Sequence, residues 1–416
     1  MKRFVSLFVI LILLLVLAGC ALETGGGGEI RHNLGTEPQT LDTALLTGIP
    51  ESTVMLQMWE GLTRLDANND PQAAAAEDWK ISEDGTVYTF TLREGLKWAN
   101  GDPLTASDFE YAWKRALDPK LAGDYAYMLY YIEGAEEYNS QLADLEEGEE
   151  PPEELPISAD TIAVKALGEN TLEVKLNGPT PYFLALTAFP TYYPLNQEIV
   201  EANYEEWAVD IDSIIGNGPF KLNRWELGEM ELIPNEYYWD KDAVKLDKLL
   251  IYMVEDESTE LTMFETGELD VTNSVPGTEI PRLEKEYPDE LHIFPYLGTY
   301  YYIFNCSREP FDDVRVRKAL TFAIDRETIV NDITRGGQIP AYAYVPPAML
   351  GPDGKDFRKE GGDYFVYNVE KAKELLADAG YPEGKDFPPF EILYNKSEMH
   401  KLVGEAIMEM WKNNLG

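Results

Sequence analysis

The first twenty residues constrain this chain more than any other segment, because they decide the compartment in which the rest must fold. Lys2 and Arg3 give a short basic start, and residues 4–17 are apolar apart from Ser6. This run has the length of a secretory signal and is shorter than the 18 or more apolar residues expected of a membrane-spanning helix. We therefore predict that residues 1–19 are a signal peptide that directs export.

The end of this segment follows a pattern typical of bacterial lipoproteins. Leu17-Ala18-Gly19 precedes Cys20, and a glycine run follows at 25–28. The pattern predicts cleavage before Cys20, a diacylglycerol on its thiol, and a flexible tether over residues 20–28. The protein would then sit on the extracytoplasmic face of the cell membrane, in the periplasmic space or outside the cell. An ordinary signal peptide or an uncleaved anchor is the alternative.

Cysteine content limits how the exported chain can be stabilised. Cys306 is the only cysteine besides Cys20. If Cys20 is acylated, no disulfide can form within the chain despite an oxidising location. Stability must then come from burial of an apolar core, for which 416 residues are ample.

The charge of the chain excludes two classes of partner. It has 34 Lys+Arg against 75 Asp+Glu, a formal net charge of −41. Such a surface repels nucleic-acid phosphates and anionic lipid headgroups, so we expect neither as a partner and expect membrane association only through the lipid. The acidity itself is most simply a means of solubility.

Local patterns predict strands and helices mixed along the chain. Residues Val87–Leu92 and Thr171–Leu176 alternate like half-buried strands, and Thr105 stands three residues before Asp108 as in a capping box. Later helices are predicted after Asp312 and Asp313, from Val369 to Ala379, and from Ser397 onward. Because the elements do not alternate strictly as strand and helix, the pattern indicates α/β lobes with mixed sheets.

Motifs for catalysis or metal binding are missing from the sequence. The three histidines, His32, His292 and His400, are scattered, so no clustered metal site can be drawn and we predict no metal or other cofactor. Neither a phosphate-binding glycine loop nor a Gly-x-Ser-x-Gly elbow occurs. Trp and Tyr are plentiful, at 8 and 25 residues, which suits walls for ligands that are partly apolar and partly polar. The sequence therefore favours binding over enzymatic turnover.

Four blocks of sequence, in order and covering nearly the whole chain after Cys20, carry recognisable motifs. The motifs are Ala76-Glu77-Asp78-Trp79 through Asp108-Phe109, Asn217-Gly218-Pro219-Phe220 with Asn235-x-Tyr237-Tyr238-Trp239, Thr299-Tyr300-Tyr301-Tyr302 through Ala323-Ile324-Asp325-Arg326, and Leu393-Tyr394-Asn395-x-Ser397-x-x-His400-Lys401. Together they resemble one family, the extracytoplasmic solute-binding proteins of peptide and nickel ABC importers (bacterial family 5), the oligopeptide-binding type in particular.

This resemblance implies an α/β fold, a two-lobed periplasmic-binding-protein clamp (type II-like) with mixed sheets and an extra accessory domain. The implied boundaries are lobe I at 29–59 and 197–297, the accessory domain at 60–196, and lobe II at 298–416. Family members continue past the segment matching 411–416, so we expect lobe II to be incomplete here. An acidic residue that captures the α-amine of the peptide would lie beyond residue 416.

The resemblance also implies how the protein would work. In this family a short peptide lies extended between the lobes and pairs with the protein backbone, which gives affinity without strong side-chain choice. The closed form then delivers the peptide to the permease subunits of the ABC transporter. We expect a monomer with no enzymatic activity.

Ten residues are implied to contact the peptide by their match to the family. They are Thr47, Gly48, Tyr125, Phe189, Asn273, Ser274, Tyr296, Tyr301, Thr334 and His400. Thr47-Gly48 would border the peptide's N-terminal end. Phe189 stands where some relatives carry histidine, which predicts a more apolar pocket. Thr334 stands where relatives place a lysine for another peptide length, with Arg335 beside it, so the preferred length stays open.

His400 is the sharpest of these candidates. It follows Ser397 by three residues, which places it in the first turn of a predicted helix, where backbone N–H groups and the helix dipole favour an anion. It could therefore meet the C-terminal carboxylate of a peptide of fitting length. The alternative for a lone histidine, and for each tyrosine, is a structural or surface role.

The sequence is also compatible with other functions. The same fold could bind a nickel complex, haem or an oligosaccharide, or it could report a peptide signal instead of feeding an importer. A secreted hydrolase, such as a glycosidase whose acid pair is hidden among the 75 carboxylates, is the alternative from a different class.

Overall fold

The structure is a computed structural model that describes residues 28–145, 151–152, 154–204, 206–351 and 353–416. The predicted signal peptide, Cys20 and all but the last residue of the tether lie outside the described residues. The strands are β1 Glu29–Asn33, β2 Thr63–Leu65, β3 Pro71–Ala73, β4 Ala76–Ile81, β5 Val87–Leu92, β6 Val164–Gly168, β7 Thr171–Lys175, β8 Phe220–Glu226, β9 Glu229–Pro234 and β10 Lys248–Tyr252.

The α-helices are mostly short. They are α1 Ile49–Met58, α2 Ala106–Ala116, α3 Ala135–Asn139, α4 Phe183–Leu186, α5 Gln197–Ala202, α6 Glu257–Glu265, α7 Ile280–Glu286, α8 Val314–Phe322, α9 Arg326–Thr328, α10 Phe357–Gly361, α11 Val369–Asp378 and α12 Glu398–Leu415. Six 3-10 turns lie at Ala126–Leu129, Ser140–Leu142, Ala159–Thr161, Pro190–Tyr192, Lys241–Ala243 and Pro382–Gly384, and a π-helical turn at Ile329–Thr334. None of the described helices is both long enough and apolar enough to span a membrane.

The described chain forms two compact units. Unit 1 runs to Val254 and includes Gly267–Val271, whereas unit 2 comprises Glu255–Thr266 and Thr272–Gly416. Residues 60–196, predicted as an accessory domain, fall within unit 1. The chain enters unit 2 before the predicted boundary at 297/298.

Local contacts explain why the chain enters unit 2 at Glu255, before the predicted boundary. Helix α6 is bound to α7 within unit 2, since Glu265 pairs with Arg282 at 2.7 Å and the rings of Phe264 and Tyr287 lie 5.8 Å apart. The segment that follows α6 returns to unit 1, where the backbone N–H of Asn33 donates to the carbonyl of Val271 at 3.0 Å.

Two four-stranded sheets organise unit 1. The first has the order β1-β10-β9-β8, with β1 parallel to β10 and the other pairs antiparallel, so it is mixed as predicted. The second, β4-β5-β7-β6, is antiparallel. Its strand β5 buries Tyr88, Phe90 and Leu92, which confirms the alternation that the sequence showed.

The predicted capping residue begins α2. The backbone N–H of Thr105 donates to Asp108 Oδ2 at 2.7 Å, which is one half of the predicted capping box. Phe109 and Trp113 then face the core, and Trp113 Nε1 donates to the carbonyl of Tyr192 at 2.8 Å. Burial raises the pKa of Asp108 to about 6.

Unit 1 also contains buried charged groups, each with partners. Arg115 and Asp42 form a two-bond fork at 2.8 and 2.6 Å, with both side chains only 4% exposed. Glu60 accepts hydrogen bonds from Tyr238 Oη and Trp239 Nε1, both at 2.6 Å. These bonds pair both carboxylates and the two terminal nitrogens of Arg115, whose Nε is buried without a hydrogen-bond partner among the described residues. Without these partners the buried charges would be costly.

Unit 2 is built differently, since none of its described residues belongs to a strand. Its core is small and lies where α8, α11 and α12 meet, around Ala319, Ala372 and Leu415. Asp313 caps α8 and Ser397 caps α12, as predicted. Residues 292–304 have neither helix nor strand structure.

Candidate functional site

In unit 1, the structure brings three of the predicted residues into contact although they are far apart in sequence. Tyr125 Oη donates to the carbonyl oxygen of Thr47 at 3.1 Å. The rings of Tyr125 and Phe189 meet edge to face, with centroids 5.6 Å apart. Tyr125 and Phe189 are half-buried, so each presents part of its ring to solvent. The three residues form an aromatic corner that can hold an apolar group beside backbone polar atoms.

Gly48 joins this corner from the start of α1. It is the residue before the helix, and Thr47 precedes it on the exposed side. A Cβ at Gly48 would lie 2.3 Å from Glu51 Oε2. Glu51 is itself buried and its other oxygen accepts from the backbone N–H of Gln39 at 2.6 Å, so it has little freedom to move away.

One neighbour of the corner was missed from the sequence. The ring of Tyr127 lies 6.2 Å from that of Tyr125 and is 54% exposed. The available signal was the Tyr125-x-Tyr127 spacing at the start of the 3-10 turn Ala126–Leu129, and this spacing alone does not separate a wall residue from a surface tyrosine. We define the aromatic corner as Thr47, Gly48, Tyr125, Tyr127 and Phe189.

In unit 2, His400 has three neighbours. Its backbone N–H donates to Ser397 Oγ at 3.3 Å, which confirms the predicted position in the first turn of α12. The ring of Tyr300 lies 4.9 Å from the imidazole, and Nδ1 is hydrogen-bonded to Oδ1 of Asn395. Partial burial lowers the pKa of His400. Tyr300 and Asn395 were not among the predicted site residues.

Several carboxylates lie near the start of α12, where the C-terminal carboxylate of a peptide was expected to bind. Glu398 is the first residue of α12, and Ser258 Oγ lies 3.5 Å from its Oε2. Burial, then the nearby carboxylates of Asp256 and of neighbouring glutamates, raise the pKa values of Glu398 and Glu257. Acidic side chains therefore already occupy the positive end of this helix.

Tyr301 and Tyr296 are exposed in unit 2. Tyr301 is 52% exposed and its ring lies 5.2 Å from that of Tyr344. Tyr296 is 83% exposed, and its ring lies against Gly298, where a Cβ would come within 2.5 Å of Cε1. Both rings offer surface area to a ligand.

Asn273, Ser274 and Thr334 occupy more constrained places. The backbone N–H of Asn273 donates to the buried Glu260, and Ser274 is half-buried. The Thr334 hydroxyl is buried and hydrogen-bonded to Gln338 Oε1 at 2.8 Å. The hydroxyl is the only polar side-chain group of Thr334 that could take the place of a lysine amine. It therefore already has a hydrogen-bond partner within unit 2.

Among the residues that the structure describes, no group of three or more His, Cys, Asp or Glu side chains could hold a metal ion. Cys306 is a free, exposed thiol. The predicted lipidation residue Cys20 lies outside the described residues.

Comparisons with known proteins match nearly the whole chain. A family model described as bacterial extracellular solute-binding proteins, family 5 Middle, matches residues 70–416. The oligopeptide-binding protein OppA of Bacillus subtilis (strain 168) is 42% identical over 100% of this chain and 76% of that protein. The dipeptide-binding protein DppE of the same organism is 40% identical over 95% of this chain and 70% of that protein.

A solved structure agrees with the sequence matches. Haemophilus influenzae OppA, solved in complex with RPPGFSPFR, aligns with a TM-score of 0.82 and 32% sequence identity. The alignment covers 94% of this chain and 74% of that chain.

Proposed function

The chain belongs to family 5 of the bacterial extracellular solute-binding proteins, and we propose that it captures short peptides outside the cytoplasmic membrane for an ABC importer. Membership confirms the resemblance that the motifs indicated, together with a mixed α/β fold of the periplasmic-binding-protein type. It is a family of binding proteins and not of enzymes. The observation that carries the proposal is 42% identity, along the whole chain, to a protein named for binding oligopeptides.

The chemistry of the two groups of residues suits peptides. The aromatic corner offers ring faces and the carbonyl of Thr47, which fit an apolar side chain next to a backbone N–H. His400 and the exposed tyrosines of unit 2 add polar groups at ring edges. Water can bridge mismatched polar groups in such places, which supports binding of many side chains with little selection among them.

The finer architecture is part of the proposal. We infer a two-lobed clamp with an accessory domain at 60–196, in which ligand binding shifts the protein toward a closed form that the permease subunits recognise. The ten predicted residues would line the ligand site.

Photo-cross-linking tests these contacts. A tripeptide and a hexapeptide carrying benzoylphenylalanine should label residues 47–48 and 125–127 in unit 1 and 395–400 in unit 2, and excess unlabelled peptide should abolish the labelling. The exposed β8–β9 turn at Leu227, 96% exposed, serves as the internal control. Labelling that is equally strong at Leu227, or that unlabelled peptide does not reduce, would reject the proposed contacts.

The anchor is proposed on sequence alone. Leu17-Ala18-Gly19-Cys20 supports lipidation of Cys20, so Cys20→Ala should release the protein from membranes into the medium or periplasm. Cys306→Ala, at the other cysteine, should leave membrane association unchanged. Undiminished membrane binding of the Cys20→Ala protein would rule out the lipid as the anchor.

A further inference from the structure

In unit 1, three cations lie over two aromatic rings that follow β9. The guanidinium carbon of Arg93 is 3.6 Å from the ring centroid of Trp239, and that of Arg64 is 5.6 Å from the same centroid. The amine of Lys97 is 5.4 Å from the ring centroid of Tyr237. Each distance is within the range of a cation–π contact. We define these five residues as the cation–aromatic patch.

The cation–aromatic patch is open to solvent. The Arg64 side chain is 48% exposed, Lys97 and Tyr237 are exposed, and Arg93 and Trp239 are half-buried. Tyrosine and tryptophan with arginine and lysine beside them are typical of protein surfaces at the headgroup level of a membrane. The rings are apolar with one polar end, and the cations can meet lipid phosphates.

Arg93 presents a guanidinium that is held in place but not neutralised. Its Nε donates to the carbonyl of Ala74 at 2.6 Å, and stacking on Trp239 fixes its plane. Its two terminal nitrogens have no hydrogen-bond partner, and its charge has no ion pair, among the described residues. Each of the other arginines described in unit 1 has an ion pair with a carboxylate; they are Arg31, Arg64, Arg115 and Arg224. Arg93 therefore keeps a fork of N–H donors for an oxyanion with two acceptor oxygens, such as a phosphate.

Carboxylates beside the cation–aromatic patch are already engaged. Glu60 is buried and accepts from Tyr238 and Trp239, and Asp240 lies 3.8 Å from Arg64 Nη2. Residues 235–248 contain four Asp and Glu against three Lys, whereas the whole chain has 75 against 34. The local charge is therefore close to balance, and the repulsion between distant carboxylates and a membrane is screened beyond about 8–10 Å at physiological salt.

The topology places the patch at the end of the sheet where the predicted tether joins unit 1. Strands β1 and β10 are parallel and begin at this end, where the backbone N–H of Asp247 donates to the carbonyl of Gly28 at 3.1 Å. The loop that carries the two rings runs from the end of β9 to the start of β10, so it lies at the same end. Seven residues separate Gly28 from Cys20, a span of at most about 25–30 Å. A lipid on Cys20 would hold this end close to the bilayer.

We propose that the cation–aromatic patch is a membrane-facing surface, on which Arg93 and Arg64 bind the phosphates of phospholipid headgroups and the two rings lie at headgroup level. The inference goes beyond peptide capture, and it rests on the proposed lipid anchor for the proximity of the bilayer. The lipid holds the protein at the membrane, and the patch fixes which end of unit 1 faces it. Within the proposal, this replaces the expectation that the lipid is the sole contact with the membrane.

Fluorescence quenching by lipids with spin-labelled headgroups measures this orientation. The lipidated protein, with Cys306→Ala, is reconstituted into vesicles of phosphatidylglycerol and phosphatidylethanolamine. A fluorophore is attached at Ala243→Cys, an exposed position in the loop of the patch, or at Leu227→Cys, in the β8–β9 turn at the opposite end of the sheet. We expect at least twofold stronger quenching at position 243 than at position 227.

Substitutions in the patch should abolish this difference while the lipid keeps the protein on the vesicles. Arg64→Gln with Arg93→Gln should lower quenching at position 243 to the level at 227. Arg64→Gln alone, at a solvent-exposed side chain that leaves the Arg93–Ala74 bond intact, should lower it partly. Arg224→Gln is the matched control, since Arg224 pairs with Glu229 at the opposite end of the sheet, and should change nothing. Equal quenching at the two positions, or no response to the double variant, would overturn the proposal.

A titration of the unlipidated Cys20→Ala protein tests the patch without the anchor. Dihexanoyl phosphatidylglycerol, below the concentration at which it forms micelles, and inorganic phosphate are added separately, and nitrogen NMR follows the Nε–H signals of arginine. The lipid should shift the Arg93 signal, assigned with Arg93→Lys, and leave that of Arg224 in place. A shift with inorganic phosphate alone would assign the site to a free anion and overturn the membrane role, and no shift with either would overturn the phosphate site. If the unaltered protein does not float with vesicles, the anchor fails, and this titration still decides the patch.

Discussion

The two units of this protein differ in how fully their backbone N–H and C=O groups are hydrogen-bonded. Unit 1 contains all ten strands found in the described residues, and its sheets enclose a continuous core that includes Trp59, Phe90 and Trp98. In unit 2, residues 292–304 include several residue types that favour strands, but they pair with no neighbouring strand among the described residues. The one backbone hydrogen bond that any of their N–H groups donates to a described residue runs from Gly298 to the carbonyl of Tyr296. Stability is therefore concentrated in unit 1, and unit 2 leaves polar backbone groups and aromatic rings open to solvent or ligand.

Hydrogen exchange should show the largest contrast. Strand β5 is paired on both sides, by β4 and β7, so its amides should exchange only through large unfolding events. Amides in 292–304 should exchange several orders of magnitude faster, because few are bonded. Mass spectrometry of peptides from both regions measures this directly. Equal protection of the two regions would break the comparison.

Removal of a buried charge partner should have the next largest effect. Asp42→Ala leaves Arg115 buried without its carboxylate and should lower the free energy of unfolding of unit 1 by about 3–5 kcal/mol. Asp270→Ala, which breaks a more exposed pair with Arg31, should cost much less, because solvent screens that pair.

Urea unfolding followed by tryptophan fluorescence can measure both variants. Seven of the eight tryptophans lie in unit 1 and only Trp411 lies in unit 2, so Trp411→Phe confines the signal to unit 1. Equal costs for the two Asp variants would show that burial does not set the strength of these pairs.

Local signals explain what the sequence could predict. Alternation predicted β5, and caps predicted α2, α8 and α12, because each depends on residues within a few positions of one another. The position of His400 followed in the same way from Ser397.

Long-range pairing explains what the sequence could not predict. The parallel pairing of β1 with β10 joins residues more than 200 positions apart. Residues 299–304 are rich in tyrosine yet form no strand, because a strand also needs a neighbour. Only the family resemblance predicted that Tyr125 and Phe189 belong to one site, because no sequence periodicity relates the two positions.

The pH dependence of unit 1 should show a moderate effect. Burial raises the pKa of Asp108 from 3.8 to about 6, so the folded state holds this proton more tightly than the unfolded state. The resulting stability is fully present below about pH 3.8 and is lost as the pH rises through about 6. Asp108→Asn should remove this pH-dependent change, about 3 kcal/mol. Asp160→Asn, at a side chain 91% exposed, is the control and should keep the slope of the unaltered protein.

The aromatic corner should show the smallest effect. Phe189→His replaces an apolar edge of the corner with a polar ring and should weaken peptides with apolar side chains by about 1 kcal/mol, with little change for polar ones. Tyr364→His, at a ring 76% exposed in unit 2, should change neither. Competition calorimetry with matched peptides distinguishes these outcomes. A uniform loss for apolar and polar peptides would show that the corner does not select side chains.

Native mass spectrometry of the protein purified from its own cells tests the central claim most directly. The account predicts a bound population whose extra mass matches short peptides, is released on denaturation and yields peptide fragments. A nickel complex, haem or an oligosaccharide as the released species would contradict peptide capture and assign this family member another cargo. Conversion of added peptides or glycans into products by the purified protein would contradict its assignment as a binding protein.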